Sequence, residues 1–166
     1  MRPVVALLLL LLGCGPAPLS TPDLRFEFTL SAALTDTISG LQVSLISHGT
    51  GLDCTAVQQN CLIKQVASDR FIHVQKGDGV DHAALVFPLS LTSGAPSFQN
   101  VVVQGIPLGK DYAVVIEAIS KETPPRLAGS SCNYLAEITA GTNTTLIAAT
   151  ISPPMVPIAC DPRVEK

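Results

Sequence analysis

The chain predicts an all-β protein, an antiparallel Greek-key β-sandwich of about seven to nine strands. Three observations carry that reading. Apolar and polar residues alternate with period two in several separate runs, the mark of a half-buried strand. Glycine- and proline-bearing turn segments separate those runs at short intervals. Nowhere do apolar residues recur at i, i+3, i+4 and i+7 over three turns with caps, so helix content is expected to be low.

The elements follow in order. Leu24-Arg25-Phe26-Glu27-Phe28-Thr29-Leu30 alternates without a miss and predicts the first strand. Leu41, Val43 and Leu45 predict the second, bounded by Ser39-Gly40 and by His48-Gly49-Thr50-Gly51. Leu62–Val66 and Arg70–Gln75 are expected as short strands, and Lys76-Gly77-Asp78-Gly79 as a turn, since glycine reaches positive φ without steric cost. Ala83–Leu91 is a longer apolar run interrupted by Pro88; proline lacks the amide a central ladder needs, which places this strand at an edge or a bulge. Val101–Val103 predicts another strand, closed by the turn Gly105-Ile106-Pro107-Leu108-Gly109-Lys110. Tyr112 to Ile119 is apolar at almost every position and is expected to be central and buried on both faces, with 112, 114, 116 and 118 pointing inward. Tyr134–Thr139 and Thr144–Ile151 are expected to pair as a hairpin across Ala140-Gly141-Thr142-Asn143. Ser152–Lys166, with Pro153, Pro154, Pro157 and Pro162, is expected to run extended over the surface, pinned if Cys160 is bridged.

The N-terminus is an address and not a fold element. Residues 1–13, MRPVVALLLLLLG, carry one positive charge at Arg2 and a nine-residue apolar run from Val4 to Leu12. A helix needs about 20 residues to span a bilayer, so the run suits a cleaved signal peptide. Leu11-Leu12-Gly13-Cys14 resembles the bacterial lipobox. That resemblance implies a lipoprotein: the Cys14 thiol receives a diacylglycerol, cleavage follows Gly13, and the new amino group is acylated, so that several acyl chains anchor one end. Gly15, and no aspartate, follows the cysteine, which favours outer-membrane over inner-membrane delivery. Residues 14–22 form the lipidated tether, 23–151 the β domain and 152–166 the proline-rich tail.

Setting Cys14 aside leaves four of the five cysteines, Cys54, Cys61, Cys132 and Cys160, an even number in an exported domain where disulfides persist. Of the three pairings, the short polar loop between Cys54 and Cys61 favours a local bridge there and a second from Cys132 to Cys160 in the tail; the two crossed pairings stay open. A metal site is the weaker reading, because there is no CxxC and no histidine at ligand spacing from a cysteine.

Phe98-Gln-Asn-Val101 followed by Gly105-Ile-Pro-Leu-Gly-Lys-Asp-Tyr112-Ala-Val-Val-Ile-Glu117-Ala118 is similar to the Greek-key strand pair of prealbumin-like and carboxypeptidase-regulatory-like domains. The closing Ile138–Ile151 stretch resembles their last hairpin. The likeness covers roughly a third of the chain, at turn and core positions, and implies an Ig-like or prealbumin-like sandwich without bringing catalytic residues. The cysteine-bearing loop near Cys54 and the proline-rich tail depart from it.

Function is constrained mainly by exclusion. The net charge of -3, with 10 basic and 13 acidic residues and no basic run, lacks the electrostatic footprint of a nucleic-acid binder. Aromatics make up 4% of the chain and tryptophan is missing, which leaves few platforms for stacking sugars or bases. There is no G-x-S-x-G elbow, no H-E-x-x-H and no phosphate-cradling glycine loop. His48 and His73 read as incidental imidazoles, and Asp78-Gly79-Val80-Asp81-His82 as a polar turn with too few oxygens for calcium. Tyr112 is assigned to the core, and Tyr134, beside Cys132, is a possible contact residue. No cofactor or catalytic residue is expected. The function expected is that of a membrane-anchored, non-enzymatic binding, spacer or accessory module with a protein or small-ligand partner. The competing expectation is a small periplasmic hydrolase or metal-dependent enzyme whose histidine and carboxylates converge only in three dimensions.

Overall fold

The computed structural model describes residues 24–77, 79–89, 100–140 and 145–165. The signal segment, Cys14 and the tether therefore lie outside the described residues, as do Asp78 and most of the expected turn at 140–143.

The chain is mostly β. In order come β1 (Leu24–Leu30), α1 (Ala32–Thr35), β2 (Ile38–Ser47), α2 (Cys54–Gln59), β3 (Phe71–Ile72), β4 (Leu85–Pro88), β5 (Asn100–Val103), β6 (Gly109–Ser120), β7 (Leu127–Ile138) and β8 (Thr145–Ile151), with short 3₁₀ turns at Gly49–Gly51, Leu62–Lys64 and Ser68–Arg70. One sheet has the order β5-β1-β8; the other runs β3-β2-β6-β7, with β4 also pairing to β2. Neighbours are antiparallel except β1 and β8, which run parallel from Leu24↔Thr145 to Leu30↔Ile151.

Period two explains the packing. In β1, Leu24, Phe26, Phe28 and Leu30 are buried while the residues between them are exposed or half-buried. They share one core with Val103, Ile147, Ala149 and Ile151 from the same sheet and with Leu41, Val43, Leu45, Tyr112, Val114, Ile116 and Ala118 from the other. The opposite face of β2 and β6 is covered as well: Ile46, Ala113 and Val115 pack with Val57 of α2 and with Leu62, Val66 and Phe71. β6 is thus buried on both faces, as its apolar sequence requires, and lies between β2 and β7. Among the described residues β4 pairs only with β2, which suits an edge strand containing Pro88. Gly49 permits the covering loop to close, because a Cβ there would run into the backbone of Tyr112.

Two expectations are corrected. Leu62–Lys64 is a 3₁₀ turn and not a strand, since Leu62 points down into the second core. β7 and β8 do not form a hairpin: β7 pairs with β6 and β8 with β1, so the two strands belong to different sheets. The hairpin partner of β7 is β6, across Lys121–Arg126. The early part of β7, Leu-Ala-Gly-Ser-Ser-Cys, is built of small residues whose alternation is too weak to reveal a strand.

Candidate functional site

On the covered face of β2 and β6 the alternation places three polar residues in a row: Gln42 stands opposite Glu117, and Glu117 opposite Ser130 of β7. Gln42 and Glu117 are each only 1% exposed. Polar groups this deep need partners, and they find them in the backbone of the covering segments. Glu117 Oε1 accepts from the Leu62 N–H at 2.9 Å and Oε2 accepts from Gln42 Nε2 at 2.9 Å. Gln42 Nε2 also donates to the Pro162 carbonyl at 2.8 Å, and Gln42 Oε1 accepts from the Val164 N–H at 2.9 Å. Two side chains thereby satisfy backbone groups of three cover positions, a role that ladder bonds play elsewhere. Burial pushes the Glu117 carboxyl up to about 7, against the opposing pull of the Leu62 N–H and the Gln42 amide.

The C-terminal segment is a strap across this face. Ser152 bridges to Ser130 and Ile158 to Leu127, the Leu127 N–H donates to the Cys160 carbonyl at 3.1 Å, and Glu165 closes the end. The close approach to β7 requires Gly129, since a Cβ there would meet the Ser152 carbonyl oxygen at 2.6 Å. Glu165 Oε1 accepts from the Ala83 N–H at 2.6 Å and Oε2 lies 2.9 Å from His82 Nδ1. Burial alone would raise the Glu165 carboxyl, but the His82 ring and the Ala83 N–H outweigh it and hold it below its ordinary value.

Two disulfides lock the cover, and their pairing corrects the sequence-based expectation. Cys54 bonds Cys132, with Cα atoms 5.5 Å apart, and Cys61 bonds Cys160, with Cα atoms 6.1 Å apart. The local bridge fails because the segment between Cys54 and Cys61 is not an open loop. Asp53 caps α2 by accepting from Thr55 N at 2.9 Å and Ala56 N at 3.2 Å. A helical rise then carries Cys61 roughly 10 Å from Cys54, beyond disulfide reach. The Asp53-Cys-Thr-Ala sequence was the available signal for that helix.

The remaining candidates scatter. His48 adopts left-handed φ 56°, is exposed, and stands 4.0 Å from Asp111 Oδ2. The Thr50 N–H donates to Asp111 Oδ1 at 2.7 Å and holds that carboxyl below its ordinary value. His73 is exposed just beyond β3. Asp81 accepts from Gln75 Nε2 at 2.9 Å, and Val74 pairs with His82 across the turn. Among the described residues no three His, Cys, Asp or Glu side chains stand close enough together to hold a metal ion. Tyr112 belongs to the main core, and its hydroxyl donates to the Pro107 carbonyl at 3.3 Å; Tyr134 is half exposed.

Missed by sequence reasoning is the surface made by the strap itself. Met155 is 98% and Val156 70% exposed at its crest. A cleft of about 530 Å³ on one side is walled by Leu34, Leu127, Pro153, Pro157 and Ile158, with Lys121 and Arg126 also lining it. On the other side Met155 and Val156 line a second cleft of about 580 Å³ together with Gln59 and Asn60. Both cations of the first cleft are engaged, Lys121 Nζ donating to the Asp36 carbonyl at 3.0 Å and Arg126 Nε pairing with Glu122 at 3.1 Å. Comparison with known proteins gave no match to a family model, a curated protein or a solved structure.

Proposed function

We propose that the chain is an exported lipoprotein, anchored through lipid on Cys14 to the outer membrane, whose domain is a Greek-key β-sandwich of prealbumin-like kind acting as a non-enzymatic binding or spacer module at the cell envelope. The observation that carries this reading is the use of the cysteines. Four of the five are engaged in two disulfides within the domain, which suits an oxidising compartment. The fifth, Cys14, stands outside the domain directly behind the apolar run, where lipid attachment would use it. Strand direction supports the binding role. The tether enters at Leu24, whereas β8 runs parallel to β1 and delivers the strap beside Leu30, so the exposed Met155 and Val156 follow from the end of the sheet away from the anchor. Of the two histidine–carboxylate pairs among the described residues, His82–Glu165 is occupied in holding the strap, and in His48–Asp111 the imidazole is exposed and the carboxylate accepts from the Thr50 N–H. A Cys14→Ala variant tests the anchor: it is expected to leave the membrane fraction while keeping both disulfides, and full retention in the membrane would overturn the reading.

A further inference from the structure

A small set of side chains grips residues 161–165 beyond the Cys160 bridge. Gln42 grips the Pro162 carbonyl and the Val164 N–H, and is itself oriented by Glu117. Glu165 grips His82 and the Ala83 N–H, and Val164 packs against the second core. Both grips contain a group that takes up protons near neutrality in suitable surroundings, a buried carboxyl and an imidazole.

We propose that residues 161–165 form a pH-dependent clasp hinged at Cys160, closed on the acid side of neutrality and released on the alkaline side, with Glu117 as its main latch and the His82–Glu165 pair as its second. Ionised, Glu117 becomes a negative charge beneath the cover with two N–H donors and no cation bonded to it. Among the described residues, the groups facing it supply no compensating positive charge. β2 presents Gln42 and β7 presents Ser130, and α2 carries no charged side chain. Lys64 in the Leu62–Lys64 turn is exposed. In the strap, Arg163 is committed to Asp161 through Nε at 3.0 Å and Nη2 at 2.7 Å. Hydration of the charge requires part of the cover to lift. The Leu62 turn is fixed beside the Cys61–Cys160 disulfide, which leaves the five residues beyond Cys160 as the movable piece. The raised proton affinity of Glu117 places this event near neutrality. His82 acts in the same direction: protonated, it attracts the Glu165 carboxylate; neutral, it retains only a hydrogen bond. Release would uncover Gln42, Glu117 and the part of the second core beneath Val164.

Amide hydrogen exchange on the full chain, with both disulfides intact and rates corrected for intrinsic chemical exchange, tests the clasp. Protection at Val164 and Ala83 is expected to fall about tenfold or more between about pH 5.5 and about pH 8.5, and at each pH to stay well below that of Val114 and Ile116 in β6, which open only with the whole domain and so follow its global stability. In Glu117→Gln the pH dependence at Val164 should collapse to about twofold or less, whatever its absolute level, and in His82→Gln the dependence at Ala83 should diminish. Should Glu117→Gln not fold, the wild type still decides, because the Val164 midpoint must coincide with the carboxyl titration of Glu117 followed by NMR. Protection at Val164 that is flat with pH, that equals the protection of β6 at every pH, or that keeps its full pH dependence in Glu117→Gln would overturn the proposal.

Discussion

Removing one of the two long disulfides measures how far the crossed pairing holds the domain together. Cys61 and Cys160 are 99 residues apart, and Cys54 and Cys132 are 78 apart. In the chain-entropy account, closing loops of these lengths in the unfolded state contributes about 4.7 and about 4.5 kcal/mol, each taken alone. A bridge from Cys54 to Cys61 would contribute only about 2.5 kcal/mol by the same relation. Because the two loops interlock, the second bridge adds less than its solitary value. A Cys61→Ser/Cys160→Ser double variant is therefore expected to lose about 3 to 5 kcal/mol, a large share of the roughly 5 to 15 kcal/mol that holds a domain together. Cys54→Ser/Cys132→Ser should lose a similar amount, and full reduction should unfold the domain. Urea melts of the purified chain measure each loss, and proteolysis without reductant followed by mass spectrometry reads the pairing. A peptide joining Cys54 to Cys61, or a loss under about 1 kcal/mol in either double variant, would refute the argument.

Other expectations follow from burial. Ile116→Ala, at a side chain 0% exposed in the main core, should cost about 2 to 5 kcal/mol in the same melts. Glu117→Ala should cost about 2 to 4 kcal/mol, because it strands the buried Leu62 N–H and one Gln42 bond, and a cost near zero would contradict the polar node. The folded-state value of Glu117 lies above its ordinary 4.5, so its contribution is fully present below about pH 4.5 and is lost as pH rises through about 7; stability should fall by up to about 3 kcal/mol across that window and should not do so in Glu117→Gln. Gly129→Val should push Ser152 off β7 and expose the Leu127–Ser130 edge, seen as faster exchange at the Ser130 N–H, which now donates to Ser152.

The strands with strong alternation were legible in the sequence. Leu24–Leu30 matches β1 at both ends, the run Tyr112–Ile119, apolar except at Glu117, lies within central β6, and Pro88 marks an edge. Partner choice was not legible, because a strand records which of its faces is buried but not which neighbour it pairs with. That is why β7 and β8 read as a hairpin although they belong to different sheets. The cysteine pairing failed for a local reason, the short helix α2 started by Asp53, which parted two cysteines that look adjacent on paper. Glu117 was visible as one acidic residue in an apolar strand. Its partners, Leu62, Pro162 and Val164, come from segments with no periodicity, so nothing in the sequence tied them to it.

The mass of the intact chain recovered from the membrane fraction bears most directly on the proposal of a lipid-anchored, disulfide-locked module. The expected species begins at Cys14, carries a diacylglyceryl group and an N-acyl chain on that residue, and is lighter by the hydrogens of two disulfides. A chain that begins at Met1, or one cleaved elsewhere with Cys14 unmodified, would contradict it.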